Sequence, residues 1–205
     1  MSIAMGIPSR VMATRPQVTE DDGERQLVER CLAGDSEAFS PIVHRYGAGL
    51  FAFCARMVGR AVGEELAQET LARAYANLGT FRHDTGLKRW LYRIALNLCR
   101  DHLKSGKARE GPCGSLEGAL EPVAAEAGPE ERLRGREAVA ALQRAIERLA
   151  PKYREAFVLK HIENLSYEEM REIVEMPVPA LKVRVHRARE MIKRLMAEEE
   201  RGEGR

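Results

Sequence analysis

Hydrophobic residues recur at helical spacing in several segments of the chain. Between Leu87 and Lys104, a helix of about 100° per residue gathers the apolar side chains on one arc. That arc holds Leu87, Trp90, Leu91, Ile94, Ala95 and Leu98, and the opposite arc holds Arg89, Arg93, Asn97, Arg100 and Lys104. The apolar arc predicts a core face. The cationic arc suits contact with phosphate oxygens, and ordinary solvated charges are the alternative.

Three further helices are predicted before this stretch. They cover about 23–33, a longer segment that begins with Asp35 as its N-cap, and about 64–78. Gly47 and Gly49 favour a bend or break in the second of them. Its predicted apolar face is Phe39, Ile42, Val43, Tyr46, Leu50, Phe53, Cys54 and Met57. The third turns Leu66, Ala67, Leu71, Ala74, Tyr75 and Leu78 inward, and leaves Glu65, Gln68, Glu69, Ala72, Arg73 and Ala76 toward solvent.

Helical periodicity stops at residues 105–128, which are rich in Gly, Pro, Ala and Glu, and this composition predicts a flexible linker. Helices are predicted to start at Pro129 and Pro151, and Ser166 with Glu169 forms a capping box that starts the next one. Pro179 opens a final helix to about Glu198. The last two helices fit a helix-turn-helix. The final helix turns Leu181, Val185, Ala188, Ile192 and Leu195 inward, Lys182, Val183, His186 and Arg187 outward, and Arg184 and Arg189 to the edges.

The composition is typical of a globular protein, and the charged residues are unevenly distributed along the chain. The 205 residues are 44% hydrophobic and 31% charged, as in soluble globular proteins, and the 5% of aromatic residues fits small helical modules. A net charge of +2 gives little support for nucleic-acid binding. Acidic residues crowd 20–29, 117–137 and 198–203, whereas Arg and Lys cluster in 82–109 and 182–194. The basic clusters coincide with the two predicted outward faces.

Candidate chemistry is sparse. The four cysteines include no Cys-x-x-Cys pair, so we expect small apolar residues in a reducing cytosol and no zinc site. The five histidines lack metal or nucleophile spacing, and there is no phosphate-cradling Gly loop, so neither a cofactor nor catalytic residues are expected. No apolar stretch approaches the roughly 20 residues of a membrane span and no signal peptide opens the chain, so we expect a cytoplasmic protein without membrane insertion.

Two sets of motifs resemble one family. The segments AQETLARAYANL and RWLYRIALNLCRDHL resemble region 2 of bacterial extracytoplasmic-function (ECF) sigma factors, with Gln68-Glu69, Trp90–Ile94 and Asn97 in the family's order. LSYEEMREIV followed by LKVRVHRARE resembles region 4. The resemblance implies an all-α protein of two small helical domains joined by a flexible linker. The aperiodic composition of the first residues predicts a disordered arm at 1–22, and the resemblance implies region 2 at 23–106, the linker at 107–130 and region 4 at 131–199.

The resemblance also implies a function. ECF sigma factors are dissociable subunits that direct core RNA polymerase to promoter DNA, assist its melting and perform no covalent chemistry. The face that would bind the clamp helices of the largest catalytic subunit is Glu65, Gln68, Glu69 and Arg73. The residues that would bind the −10 element, where the loop 79–86 captures a flipped base, are Arg82, His83, Asp84, Thr85, Arg89, Arg93, Asn97 and Arg100. Those that would bind the −35 element are Lys182, Val183, Arg184, His186 and Arg187. The polymerase flap and an anti-sigma factor are the further partners implied.

Some positions depart from the family pattern. Relatives usually show Gly where this chain has Glu175-Met176, and Gly-Thr-Val-Lys-Ser where it has Pro179-Ala180-Leu181-Lys182-Val183. The departure implies unusual or weakened −35 binding. Trp90 lies on the apolar arc, which favours core packing. Two alternatives stay open, a stand-alone helix-turn-helix regulator that binds operator DNA without polymerase, and an all-helical enzyme.

Overall fold

The computed structural model describes residues 20–82, 86–105 and 128–202, and every regular element in these ranges is helical. The α-helices are α1 (Glu20–Leu32), α2 (Ser40–Val58), α3 (Arg60–Ala76), α4 (Leu87–Lys104), α5 (Pro129–Glu147), α6 (Pro151–Phe157), α7 (Tyr167–Val174) and α8 (Val178–Gly202). Short 3-10 turns cover Ser36–Phe39 and Leu78–Thr80, and a π-helical turn, Val158–Ile162, continues α6. The predicted all-α class is confirmed. Residues 1–19 of the predicted arm at 1–22, and residues 107–127 of the predicted linker at 107–130, lie outside the described residues, whereas α1 includes 20–22 and α5 includes 129–130.

The first four helices form an N-terminal module around α2, whose Leu50, Phe53 and Cys54 are fully buried. Helices α2 and α3 approach closely at Gly63, where a Cβ atom would lie 2.5 Å from the backbone of Ala55. Gly59, with a φ of 91°, makes the tight connection between these two helices. Close contact between α2 and α3 therefore depends on the missing side chain at position 63.

Three expectations for α2 and its surroundings were wrong. The helix runs unbroken through Gly47 and Gly49, because its buried apolar face outweighs the low helix propensity of two glycines. Asp35 makes no side-chain cap; it forms a salt bridge with Arg30 at 2.6 Å and precedes the 3-10 turn. Val43 and, on α3, Tyr75 are exposed rather than internal.

Helices α5 to α8 form a C-terminal module. The predicted capping box is present, since Ser166 Oγ accepts a hydrogen bond from the Glu169 backbone and the Glu169 side chain accepts one from the Ser166 backbone. Glu175, the C-cap residue that follows α7, adopts the left-handed conformation with φ 58° and ψ 47°. The predicted inward stripe of α8 is buried at Leu181, Val185, Ala188 and Ile192, against a core that α6 and α7 complete.

The two modules pack against each other, because α4 contacts α6 and α7, and α2 contacts α5 and α6. Tyr92, Leu96 and Cys99 of α4 are buried as well, although they lie off the predicted core arc, and the Tyr92 ring centroid lies 5.3 Å from that of Phe53 in α2. None of the helices in the part of the chain that the structure describes is long and apolar enough to cross a bilayer.

Candidate nucleic-acid interface

A cavity of about 380 Å³ lies beside α4, between the residues that precede this helix and Glu172 of α7. Its lining consists of Thr80, Arg82, Arg89, Trp90, Arg93, Ile94, Asn97 and Glu172. Phe81 packs on Trp90, with ring centroids 5.3 Å apart, and supports the apolar side of the cavity. An aromatic wall next to arginines and an amide can take a flat base and the phosphates beside it.

The structure brings together four of the residues predicted to bind the −10 element. Arg82, Arg89, Arg93 and Asn97 surround the same cavity, and Arg100 lies further along α4. Arg93 and Asn97 are exposed, whereas Arg89 and Arg100 are partly covered. The other three predicted residues, His83, Asp84 and Thr85, lie outside the described residues.

The Trp90 side chain lies between the hydrophobic core and the cavity. It packs on the hydrophobic core, as the apolar arc predicts, and it also lines the cavity. The sequence reasoning missed the cavity role of Trp90, Thr80 and Ile94. The sequence feature that could have indicated this role is the position of Phe81 and Trp90 on either side of a polar loop, next to the cationic arc. Aromatic residues placed in this way can stack on unpaired bases.

Carboxylates of the C-terminal module neutralise the cationic arc of α4. Arg89 Nε lies 2.8 Å from Glu172 Oε2, and Arg93 pairs with Glu175. Arg100 donates two hydrogen bonds to Glu155, at 3.0 and 3.1 Å. These pairs were not predictable from sequence patterns, because their members are 55 to 83 residues apart and follow no common period.

The start of α8 carries the residues predicted to bind the −35 element. Lys182, Val183, His186 and Arg187 are exposed there, and the Lys182 ammonium lies 5.6 Å from the centre of the Tyr167 ring. The fifth, Arg184, is partly covered and donates a 2.6 Å hydrogen bond to Glu155. That carboxylate is therefore shared between an arginine of each predicted DNA-binding set.

A buried polar contact joins the modules beside these ion pairs. The Tyr92 hydroxyl donates to Glu163 Oε2 at 2.6 Å. Burial raises the pKa of Tyr92, and the Glu163 carboxylate raises it further. Burial also lowers the pKa of Arg56, which is only 3% exposed, while the charge of Glu163 opposes that shift. Tyr92 therefore stays a neutral donor at physiological pH.

The face predicted to bind polymerase lies on α3, away from the cavity lining. All four of its residues are exposed, namely Glu65, Gln68, Glu69 and Arg73. Arg73 Nε and Glu69 Oε1 form a salt bridge of 2.7 Å along the helix. Gln68 also borders a shallow groove between α2 and α3 that Phe51 and Leu71 line. An apolar groove with a polar border is a common form of protein-binding surface.

Comparison with known proteins agrees with this architecture. Sigma-70 region 2 matches residues 42–109, and Sigma-70 region 4 matches residues 140–192. The chain is 34% identical over 177 residues to the ECF RNA polymerase sigma factor SigW of Bacillus subtilis, a match that covers 83% of this chain and 95% of the relative. It is 33% identical over 183 residues to the ECF RNA polymerase sigma-E factor of Escherichia coli, covering 85% and 95% of the two chains.

Solved structures show the same fold. The structure of CnrH in complex with the cytosolic domain of CnrY has a TM-score of 0.63 and 26% identity, and the match covers 86% of this chain and 99% of that chain. The sigma factor RpoE of Bartonella quintana, in complex with the anti-sigma factor NepR, has a TM-score of 0.62 and 23% identity, covering 78% and 96%. The two family matches and the identity to curated relatives over most of their length show that this chain belongs to the ECF sigma factors of the sigma-70 family.

Proposed function

We propose that this ECF sigma factor docks on core RNA polymerase through the exposed face of α3. In this proposal α4 and its cavity bind the −10 element, and the start of α8 binds the −35 element. The observation that carries it is the convergence of Arg82, Arg89, Arg93 and Asn97 on one cavity with an aromatic wall. Guanidinium groups bind phosphates, and an amide and an indole suit an unstacked base.

The two DNA-binding surfaces differ in the nucleic acid they suit. A cavity is a site for a single-stranded segment, because a base must leave the duplex to enter it. An exposed helix start with Lys182 and Arg187 suits the major groove of a duplex. Strand separation at the −10 element, with the −35 element still in duplex form, would let both surfaces be used at once.

Neither surface needs high affinity alone. Attachment of both to one polymerase raises their effective concentration at a promoter, so a net charge of only +2 is sufficient. The chain would act in the cytoplasm as a binding subunit without covalent chemistry of its own. An anti-sigma factor would be a further partner, as the resemblance to ECF sigma factors implies.

Run-off transcription on a pool of bacterial promoters, with core polymerase added, tests this function. The intact chain is compared with Q68A/R73A and with R25A/Q26A, a control that removes the same residue types from exposed positions of α1. We expect promoter-specific transcripts from the intact chain and the control, and at least a roughly tenfold loss with Q68A/R73A. Absence of promoter-specific transcripts from the intact chain would contradict the proposal. Strong duplex binding by the free protein would instead favour a stand-alone regulator.

A further inference from the structure

We propose that two carboxylates of α7, Glu172 and the C-capping Glu175, hold the free chain in a closed state in which its −10 surface is unavailable to DNA. We call these two residues the acidic clasp. The inference rests on the proposed function, since it describes the regulation of the same cavity.

The first support is the position of the acidic clasp relative to the cavity. Glu172 lines the cavity, and its Oε2 lies 2.8 Å from Arg89 Nε, while Glu175 pairs with Arg93. Arg89 and Arg93 are two of the cavity's three arginines. A carboxylate offers a guanidinium the same kind of charged oxygen acceptors that a phosphate offers. The acidic clasp therefore competes with a DNA backbone for these arginines.

The second support is the backbone at Glu175. Its φ of 58° and ψ of 47° put a non-glycine residue in the left-handed region, where a Cβ atom is unfavourable. Glycine is the favoured residue where a helix ends in this conformation. The ion pair between Glu175 and Arg93 offsets the conformational cost of a side chain at this position.

The third support is that the closed state also pairs Arg184, one of the residues predicted to bind the −35 element. Glu155, with 5% of its side chain exposed, bonds Arg100 of α4 and Arg184 of α8 simultaneously. These contacts are the covered part of the module interface, whereas Arg93 and Glu175 are 48% and 63% exposed. Exposed ion pairs are weak and sensitive to salt. The Arg93–Glu175 half of the acidic clasp is thus the part of the interface that can open under mild conditions, whereas Arg89, 27% exposed, and Glu172, 36% exposed, are more covered.

The two glutamates of the acidic clasp would also repel DNA electrostatically. In the closed state they place negative charge beside the cavity, and a DNA strand that approaches would be repelled. Once the modules separate, Arg89 and Arg93 lose their carboxylates and Arg184 loses its link to α4. We infer that docking on polymerase separates the modules and makes both DNA-binding surfaces available together.

Distance measurement on the free chain tests the closed state. Dyes are attached at A76C and K193C, both exposed positions in different modules, after C31S and C113S. Cys54 and Cys99 are fully buried and can stay. We expect E172Q/E175Q to raise the open fraction about fivefold in energy-transfer measurements, and to lower the salt concentration needed for opening. E137Q/E168Q, which removes two exposed glutamates elsewhere, serves as the charge-matched control. Equal open fractions in both double variants would overturn the inference.

A charge swap separates the pair from general damage to the fold. R93E and E175R should each open the chain, and R93E/E175R should return it toward the closed state because opposite charges face each other again. A swapped variant as open as the single variants would overturn the pairing.

A third measurement uses a fluorescein-labelled single-stranded 20-mer of random sequence as the probe. E172Q/E175Q should bind it about tenfold more tightly than E137Q/E168Q in the absence of polymerase. The distance measurement needs neither DNA nor polymerase, so its result is independent of the proposed function. Normal transcription together with equal probe binding would overturn the acidic clasp alone.

Discussion

The Arg154 guanidinium of α6 donates a hydrogen bond to the Met57 carbonyl in the last turn of α2, with 2.6 Å between Nη1 and the oxygen. Carbonyl groups in the last turn of a helix lack partners within that helix. Arg154 also donates to the carbonyl of Glu147, the last residue of α5, and to that of Leu149, two residues beyond it. One buried cation thus completes the ends of two helices in different modules.

R154M should lower the free energy of unfolding by about 2–4 kcal/mol, because it leaves buried carbonyls without donors while it keeps the apolar stem. Urea denaturation measures the change. R148M is the matched control, since Arg148 is 51% exposed and pairs with Glu198 at the surface. We expect the control to change stability by less than about 0.5 kcal/mol. Equal effects of the two substitutions would contradict the role assigned to Arg154.

G63A should destabilise the protein by about 2 kcal/mol, because the added methyl group would meet the Ala55 backbone at 2.5 Å and force α2 and α3 apart. G47A should have the opposite effect on stability. The nearest atom to a Cβ at Gly47 is 3.9 Å away, on Val43, so alanine should stabilise α2 by about 0.5–1 kcal/mol. Thermal melting of the two variants side by side checks both signs, and a stable G63A would contradict the close approach of the helices.

S166A should lower stability by about 1 kcal/mol, because it removes one half of the capping box at the start of α7. The same box affects the response to acid. Burial acts to raise the pKa of Glu169, but hydrogen bonds from Ser166 and the charges of Arg89 and Lys88 outweigh it, so the pKa lies below its usual value. A lowered pKa means that the stabilisation is complete above the usual value, 4.5, and is lost as the pH falls through the folded-state pKa.

Chemical denaturation at pH 7 and pH 3.5 measures this loss. E169Q should be less stable than the intact chain at pH 7 and should lose less stability on acidification. An E169Q variant with the full acid dependence of the intact chain would contradict the assignment.

R187A should weaken promoter binding by the assembled polymerase about tenfold, because Arg187 is exposed near the start of α8, where side chains reach base edges. R201A, an exposed arginine at the other end of the same helix, is the control. The loss with R187A should disappear on templates that lack the −35 element. Equal losses on both kinds of template would assign Arg187 to backbone contact rather than to sequence reading.

Local patterns predicted the parts of the fold that neighbours in sequence determine. The inward stripe of α8 and the Ser166–Glu169 capping box are such features, because their members lie within a few turns of each other. The continuity of α2 was not predictable from Gly47 and Gly49, since tertiary packing overrides local propensity.

The closed arrangement of the modules was not predictable for a different reason. Glu155, Glu163, Glu172 and Glu175 look like ordinary exposed acids in the sequence, and nothing in a helical period shows which arginines they will meet. Only the packing of α4 against α6 and α7 reveals the pairs. The candidate residues on α4 were thus identifiable from the sequence, whereas the groups that cover them were not.

Glu155 accepts hydrogen bonds from Arg100 of the N-terminal module and from Arg184 of its own module, so separation of the modules leaves this buried carboxylate with one arginine instead of two. Heating that unfolds one module therefore also destabilises the other, although each module has buried apolar residues of its own. We expect a single calorimetric transition for the free chain, with equal van't Hoff and calorimetric enthalpies.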